Sequence, residues 1–372
     1  MDHYNSLVLE LLRKLCVIPA PSNQEKQRAE WCLNTLRSFG MHQAYMDDAW
    51  NVICEFPCPH ASESILFAAH TDVVFPDTDP LPFHEDEERI YCPGCGDDSG
   101  PVAQLMTVLK RLHDQNRKPN CHIIIALNSG EEGLGNLKGT RALMDRFGDK
   151  LTAFYTFDGH ETGVIDTSVG SHRYRVTVKT KGGHSYGNFG NENAARVLAE
   201  GIQQIYAIPL PPYEGKTTYN VGMISGGTSI NSIVQEASML CEYRSENADS
   251  LAYMKEQFER IFLQMRQYAD VEVELVGERP CMKGVDPEAQ ARLTQKCIAV
   301  QSRIINQEVR TGSGSTDCNI PHSLGIPAVC AGSYAGGGTH TREEWIDKQS
   351  VVRGLEIVWQ LVNQYFSESD DC

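Results

Sequence analysis

The apolar run Ile65-Leu66-Phe67-Ala68-Ala69 leads directly into the polar stretch His70-Thr71-Asp72. Two further apolar runs, at 122–127 and 153–157, have the length and composition of buried strands. Helical periodicity near 100–116 and 138–148 separates these runs. Strands that alternate with helices in this way predict an α/β fold with a mainly parallel sheet.

Two helices are predicted before the first apolar run. Residues 3–16 have helical periodicity. The stretch Ser22-Asn23-Gln24-Glu25 has the pattern of a capping box, which predicts a second helix that runs to about Phe39.

The pattern changes after His172 and predicts an inserted domain. Polar and apolar residues alternate there along four stretches, and two helical stretches separate them in the order βαββαβ, which is typical of a ferredoxin-like unit. After Pro280 the chain returns to helix, strand, a glycine-rich loop and a last helix near 349–366. We therefore predict a discontinuous larger domain, 1–171 with 281–372, that is interrupted by a smaller domain at 172–280.

Composition and charge exclude some classes of function. The chain has 372 residues and a formal net charge of −16, which argues against a nucleic-acid partner because such partners require basic surface. No apolar stretch approaches the roughly 20 residues that span a bilayer. The first residues also lack the pattern of a signal peptide. We expect a folded, cytoplasmic protein of two domains with no membrane partner.

Thirteen cysteines are scattered along the chain, several of them in apolar segments. This distribution predicts reduced core thiols and no disulfides. Cys92-Pro93-Gly94-Cys95 forms a C-x-x-C, and Cys54 and Cys58 form a looser pair upstream. A structural zinc held by four thiolates, or a redox function of Cys92 and Cys95, is the alternative to core thiols.

Five polar segments could carry chemistry, and four of them begin where an apolar run ends. They are His70-Thr71-Asp72, Asp97-Asp98, Glu131-Glu132, Asp158 and His340. Because the carboxyl ends of parallel strands form one crevice, we expect these side chains to converge. Two imidazoles and several carboxylates in one crevice predict a metal site that supports hydrolysis by bound water.

Each segment also has a simpler interpretation. Asp72 would face the same way as His70 if the strand continues. Asp72 could instead hydrogen-bond to the imidazole of His70 and orient it, and we favour this role, with His70 as the ligand. Asp97-Asp98 precedes a helix predicted to begin near Pro101, where aspartate is a favoured N-cap residue. For any single carboxylate, a loop position that faces solvent is the simpler interpretation. Their recurrence at strand ends is what argues for a site.

The chain resembles the co-catalytic di-zinc metallopeptidases and deacylases that include tripeptidase T, carboxypeptidase G and succinyl-diaminopimelate desuccinylase. The resemblance covers essentially the whole chain, and the motifs follow the order of the family. They are Ala69-His70-Thr71-Asp72, Gly96-Asp97-Asp98, Glu131-Glu132-Gly133, Asp158 and Thr339-His340-Thr341. The resemblance implies a zinc-exopeptidase catalytic domain with a mainly parallel sheet and an inserted ferredoxin-like lid or dimerisation domain.

The resemblance also implies a set of metal ligands. His70 and Asp158 would bind one zinc, Glu132 and His340 would bind the other, and Asp97 would bridge the two. The three carboxylates leave one positive charge for a bridging hydroxide, which zinc can generate at neutral pH. Cobalt or manganese are alternatives to zinc, since selectivity follows geometry and availability.

The remaining roles that the resemblance implies concern protons and geometry. Glu131 would be the general base that deprotonates the attacking water and passes the proton to the leaving nitrogen. Asp72 would orient His70. The peptide bond between Asp97 and Asp98 would be cis, which is rare for a residue other than proline.

Three residues of the predicted inserted domain are further candidates. His184, in Lys181-Gly182-Gly183-His184-Ser185, resembles the family histidine that helps to stabilise the oxyanion and that comes from the partner subunit in dimeric relatives. Asn231 and Arg244 resemble the family's substrate-binding pair, and a guanidinium can bind a carboxylate through two parallel bonds. The simpler interpretations are an exposed loop histidine and, for Arg244, a surface salt bridge.

The sequence favours one function over several rivals. Ser99 stands where the family often has lysine, and Asp158 stands where the desuccinylase branch has glutamate, so we expect an exopeptidase that releases amino acids from di- or tripeptides. The alternatives are an N-acyl-amino-acid deacylase or a carboxypeptidase. A noncatalytic metal-binding or peptide-binding protein is disfavoured because binding does not need a base such as Glu131. The sequence leaves open whether the inserted domain forms a homodimer.

Overall fold

The computed structural model describes residues 3–59 and 61–367. The chain divides into two compact units, Met1–Thr167 with Lys283–Cys372 and, between these segments, Ser168–Met282. The expected boundaries at 171/172 and 280/281 lie a few residues from this division. The larger unit contains every candidate metal ligand, whereas the smaller unit contains His184, Asn231 and Arg244.

The first segment of the chain, up to the inserted unit, supplies most of the larger unit. Its helices are α1 His3–Cys16, α2 Lys26–Ser38, α3 Gly100–Asp114 and α4 Lys138–Phe147. Its strands are β1 Tyr45–Met46, β2 Val52–Phe56, β3 Ser64–His70, β4 His84–Glu85, β5 Arg89–Tyr91, β6 Lys118–Pro119, β7 His122–Asn128, β8 Ala153–Phe157 and β9 Gly163–Ser168.

The inserted segment forms the smaller unit. Its helices are α5 Ala194–Tyr206 and α6 Ala248–Met265, and its strands are β10 Gly170–Lys179, β11 Gly183–His184, β12 Thr217–Gly226, β13 Ser232–Ile233, β14 Glu236–Ser245 and β15 Asp270–Arg279. The chain then returns to the larger unit with α7 Pro287–Ile305, β16 Arg310–Gly314, α8 Asn319–Ser323, β17 Ala328–Ala331, β18 Gly336–Gly337, β19 Trp345–Asp347, α9 Lys348–Asn363 and β20 Phe366–Ser367.

The central sheet of the larger unit has the strand order β1-β2-β7-β3-β8-β17-β9-β16. The neighbours β7, β3, β8 and β17 pair in parallel, whereas β2 and β9 pair antiparallel on either side of them. The expected α/β class with a mainly parallel sheet is therefore confirmed.

Strand β3 is buried along its whole length because helices cover both faces of the sheet. Ile65, Phe67 and Ala69 belong to a core cluster that includes residues of α1, α3 and α9. Leu66 and Ala68 point to the opposite face and belong to a cluster with residues of α4 and α8. This alternation fixes the register of β3 and therefore the position of His70 at its carboxyl end.

The smaller unit has the order of elements predicted for a ferredoxin-like domain. Its main sheet has the order β12-β14-β10-β15, and all neighbours are antiparallel. Side chains of α5 and α6 pack with one face of this sheet in a separate core cluster. The other face carries ion pairs such as Arg175 with Glu274 and Lys179 with Glu272. An antiparallel sheet covered on one side has this distribution of polar and apolar side chains.

The capping box predicted at Ser22 is wrong. Helix α2 begins at Lys26, and no side chain caps its first turn. The Ser22 hydroxyl instead donates to the Asp72 carboxylate at 2.7 Å, and the buried Glu25 carboxylate accepts from the Asn23 backbone N–H and from Lys138. Ser22 and Glu25 therefore bond to residues distant in the chain, Asp72 and Lys138, and do not cap the start of α2.

Two further expectations concern disulfide bonds and membrane-spanning helices. The cysteines within residues 3–59 and 61–367 form no disulfide bonds, and Cys372 lies outside these ranges. Within the same ranges, no helix combines the length and the apolar character that crossing a membrane requires.

Candidate metal centre

Four adjacent strands carry the candidate residues at their carboxyl ends. In the order β7, β3, β8 and β17, these ends lead into Glu131-Glu132, His70, Asp158 and the loop that reaches His340. Parallel pairing of the four strands brings these ends to one edge of the sheet. The structure therefore brings together side chains that are up to 270 residues apart, His70 and His340.

Asp97 lies between the two imidazoles. His70 Nε2 is 3.0 Å from Oδ1 of Asp97, and His340 Nε2 is 3.1 Å from Oδ2 of the same carboxylate. His340 Nε2 is also 2.9 Å from Oε1 of Glu132. A carboxylate that presents one oxygen to each of two imidazoles has the arrangement of a bridging ligand between two cations.

The donor atoms are close enough to bind metal ions. Three overlapping sets have ligand atoms within 4.8 Å of one another: His70, Asp97 and Asp158; His70, Glu131 and Glu132; Asp97, Glu132 and His340. Although they face each other, His70 Nε2 and Asp97 Oδ1 are buried and form no hydrogen bond within the described part of the chain. Nitrogen and carboxylate oxygen donors in this arrangement fit zinc and similar divalent ions.

The electrostatics of the cluster also favour cations. Burial and the Asp97 carboxylate raise the pKa of Asp158 well above its ordinary value. Burial raises the pKa of Glu132 to about 7, although its hydrogen bond with His340 opposes this shift. Hydrogen bonds to Asp97 and Glu132 raise the pKa of His340 to about 11. Buried carboxylates this close repel one another, and divalent cations would neutralise them.

Asp72 contacts the loop of the two glutamates as well as His70. His70 Nδ1 lies 3.1 Å from the backbone carbonyl of Asp72 and 3.4 Å from its carboxylate. The same carboxylate accepts the backbone N–H groups of Glu131 and Glu132, both at 2.9 Å, and the Ser22 hydroxyl. Asp72 therefore holds the imidazole and the loop of the two glutamates in one hydrogen-bonded network.

The Asp97-Asp98 segment does not cap a helix. The peptide bond between these two residues is cis, as the resemblance implied. Helix α3 begins at Gly100, and its N-cap residue is Ser99, which makes no side-chain cap bond. The Asp98 carboxylate accepts from the His70 backbone N–H at 2.8 Å, so it ties this segment to the end of β3.

Glu131 lies beside the candidate ligands in a buried position. Its side chain is 5% exposed, and one of its carboxylate oxygens lies within 4.8 Å of ligand atoms of His70 and Glu132. Glu131 and Glu132 are adjacent in the chain, so their side chains leave the backbone in different directions. This arrangement suits a proton carrier next to a metal ligand.

The candidates of the smaller unit are described within that unit alone. His184 is exposed, and its Nδ1 accepts the backbone N–H groups of Tyr186 and Gly187, so the neutral ring carries its proton on Nε2. Asn231 is also exposed, and its side-chain oxygen accepts from Ser229. The Arg244 guanidinium donates twice to Glu242, at 2.8 and 3.1 Å, and therefore forms the surface salt bridge considered as its simpler interpretation.

Several residues at the site were not found by sequence reasoning. Ser22 and Glu344 hydrogen-bond to the segments that carry the candidate ligands. Tyr334 packs its ring against the Cα of Gly96, next to Asp97. Cys92 and Cys95 are buried near this segment, and no metal-binding set among the described residues includes a cysteine.

Comparison with known proteins identifies the family. Residues 66–364 match the model of Peptidase family M20/M25/M40. The chain belongs to this family. Its M20 relatives include succinyl-diaminopimelate desuccinylase from Corynebacterium glutamicum, 24% identical over 96% of this chain and 95% of the relative. Carboxypeptidase G2 from Pseudomonas sp. is 24% identical over 81% of this chain and 73% of the relative.

Solved structures of the M20 family have the same fold. A tripeptidase from Staphylococcus aureus superposes with a TM-score of 0.76 at 20% identity and covers 97% of this chain and 98% of its own. The family resemblance is therefore confirmed, and the chain is a metallohydrolase of the peptidase and amidohydrolase type. The M20 family depends on two metal ions, and the candidate ligand sets described above fit this requirement.

Proposed function

We propose that this M20 protein is an exopeptidase that releases amino acids from di- or tripeptides. The observation that carries the proposal is the Asp97 carboxylate, which presents its two oxygens to His70 and His340 while Glu131 lies alongside. A noncatalytic binding protein would need the ligands alone. The buried Glu131 adds a group that can move a proton.

The proposed ligands divide into two sets that share Asp97. His70 and Asp158 would hold one ion, and Glu132 and His340 would hold the other, with zinc first and cobalt or manganese as alternatives. When bound, the ions polarise the substrate carbonyl and lower the pKa of water. Asp72 keeps His70 in the tautomer that leaves Nε2 free to bind metal, because Nδ1 faces the Asp72 carbonyl.

Glu131 transfers the proton in the proposed reaction. Its carboxylate takes a proton from the attacking water and then gives it to the nitrogen of the leaving amine. The backbone bond from Glu131 N–H to Asp72 fixes the loop from which this side chain extends.

The substrate class separates this proposal from a second one, in which the protein acts on N-acyl amino acids or is a carboxypeptidase. The likeness to tripeptidase structures and the aspartate at position 158 support free peptides. Relatives with the names desuccinylase and carboxypeptidase G2 support an N-acyl-amino-acid deacylase or a carboxypeptidase. In this structure Arg244 is paired with Glu242, so the carboxylate of either kind of substrate would have to displace an existing partner. We rank the deacylase second because of the aspartate at position 158 and the serine at position 99.

The deciding experiment measures amino-acid release from matched substrates. Metal-loaded protein is given tripeptides with a free amino terminus, the same peptides with an acetylated amino terminus, and N-acyl amino acids. We expect the free peptides to be cleaved with a kcat/KM at least ten-fold above that of the acylated forms. The opposite preference would support the deacylase, and no turnover on any substrate would reject both.

His184 is proposed to donate a hydrogen bond to the oxyanion through Nε2. Replacing His184 with alanine should lower kcat by about 10²–10³, the effect of losing one oxyanion donor. Metal content should not change. The matched control is His42→Ala, which removes an exposed histidine of the larger unit. A His184→Ala protein with the kcat of the parent would exclude this role.

A further inference from the structure

Glu344 is a buried carboxylate that has no role in the proposed reaction. It lies four residues after His340 and directly before β19, and it is 2% exposed. Its carboxylate accepts three hydrogen bonds, and all three come from backbone N–H groups of one segment, that of Asp97. A buried carboxylate that is held by backbone groups of a single segment suggests a role in shaping that segment.

Glu344 hydrogen-bonds at several points to the segment that carries Asp97, the candidate bridging ligand. Oε2 accepts from Gly94 N–H at 2.7 Å, and Oε1 accepts from Gly96 N–H at 2.9 Å and from Asp97 N–H at 3.0 Å. The Glu344 backbone carbonyl accepts from Cys92 N–H at 3.1 Å. Glu344 therefore accepts four backbone hydrogen bonds, which fix the backbone from Cys92 to Asp97.

The backbone of this segment departs from regular helical geometry at Gly94 and at Asp97. Gly94 has a φ of +77°, and an added Cβ on Gly96 would lie 2.6 Å from the ring of Tyr334. The backbone turns sharply at Gly94 and passes close to the ring of Tyr334. Its N–H groups point toward one carboxylate, as in an anion-binding nest. In this structure the anion is the side chain of Glu344.

We propose that Glu344 is a positioning residue of the metal centre. It fixes the position of Asp97 relative to that of His340. The inference rests on the proposed ligand set. One loop carries His340 and Glu344, and Glu344 holds the segment from which Asp97 extends, so the two ligands move as one body. Residues that orient metal ligands in this way typically change metal affinity by 10–100-fold when they are replaced.

The test is the affinity of the protein for Zn²⁺ alone, measured by competition with a chromophoric chelator. Glu344→Gln keeps the shape of the side chain but turns an amide NH₂ toward at least one of the three N–H donors. We expect the affinity for at least one ion to fall 10–100-fold, with an intermediate loss for Glu344→Asp. Glu343→Gln, at the exposed neighbouring position, is the matched control and should bind as the parent does.

The melting temperature of the metal-free proteins separates positioning from stability alone. If Glu344 only stabilised the fold, Glu344→Gln would melt earlier without metal but would bind Zn²⁺ with the affinity of the parent, which would overturn the proposal. If Glu344→Gln does not fold, Glu344→Asp decides by the same comparison. A parent protein that binds Zn²⁺ but cleaves no peptide would reject the proposed function and leave this inference intact.

Discussion

Replacing Glu131 with alanine is expected to lower kcat by about 10²–10⁴ while both metal ions stay bound. The reason is that Glu131 is proposed to move the proton, whereas Glu132 is proposed to hold a metal ion. The two side chains are neighbours in sequence and are buried to a similar extent, at 5% and 6% exposure. Turnover under saturating substrate and metal content by elemental analysis are the two measurements.

Glu132→Ala is the matched comparison for this variant. It removes the carboxylate that lies 2.9 Å from His340 Nε2, so we expect it to lose metal as well as activity. The two adjacent variants should therefore differ in metal content and not in turnover. If Glu131→Ala also lost metal, Glu131 would be a ligand, and another group would have to act as the base.

Removing divalent cations is expected to abolish activity and to lower the free energy of unfolding. At free metal a thousand-fold above the dissociation constant, binding to the folded state adds about 4 kcal/mol. The neighbouring carboxylates of Asp97, Glu132 and Asp158 repel one another when cations are removed. This repulsion would link metal binding to the free energy of unfolding. Activity and thermal unfolding are measured on dialysed protein with a chelator and again after addition of Zn²⁺, Co²⁺ or Mn²⁺.

The control for chelation is the substitution Asp97→Asn. It keeps the size of the side chain but reduces its ability to bind two ions, so this variant should gain much less stability from added metal than the parent does. Activity that persists after complete chelation would reject the metallohydrolase mechanism for the measured reaction. In that case the redox alternative at Cys92 and Cys95 would need to be tested directly.

Much of the fold was predictable because its strands have clear sequence patterns. The run at Ile65–Ala69 is apolar on both faces, which predicts a strand covered by helices on both sides, and β3 is such a strand. Once the strands are parallel, polar residues at their ends must meet at one edge. The convergence of His70, Glu132 and Asp158 could therefore be expected from the sequence alone.

The residues that sequence reasoning missed act through contacts between distant segments. Ser22 bonds to a carboxylate 50 residues away, and Glu344 bonds to Gly96, 248 residues away, and no local pattern indicates either contact. The salt bridge of Arg244 is different. Glu242 and Arg244 are two residues apart in a strand, so they point to the same face, and their pairing could have been predicted from the sequence.

The position of β17 has a consequence for the order in which the protein is made. This strand lies between β8 and β9, yet it follows them in the chain by about 160 residues. During synthesis the inserted unit emerges complete while the central sheet still has a gap, and His340 emerges roughly 10–30 s after β9 at ordinary elongation rates. The proposed metal centre is therefore assembled last, from a nascent chain whose smaller unit has already had time to fold.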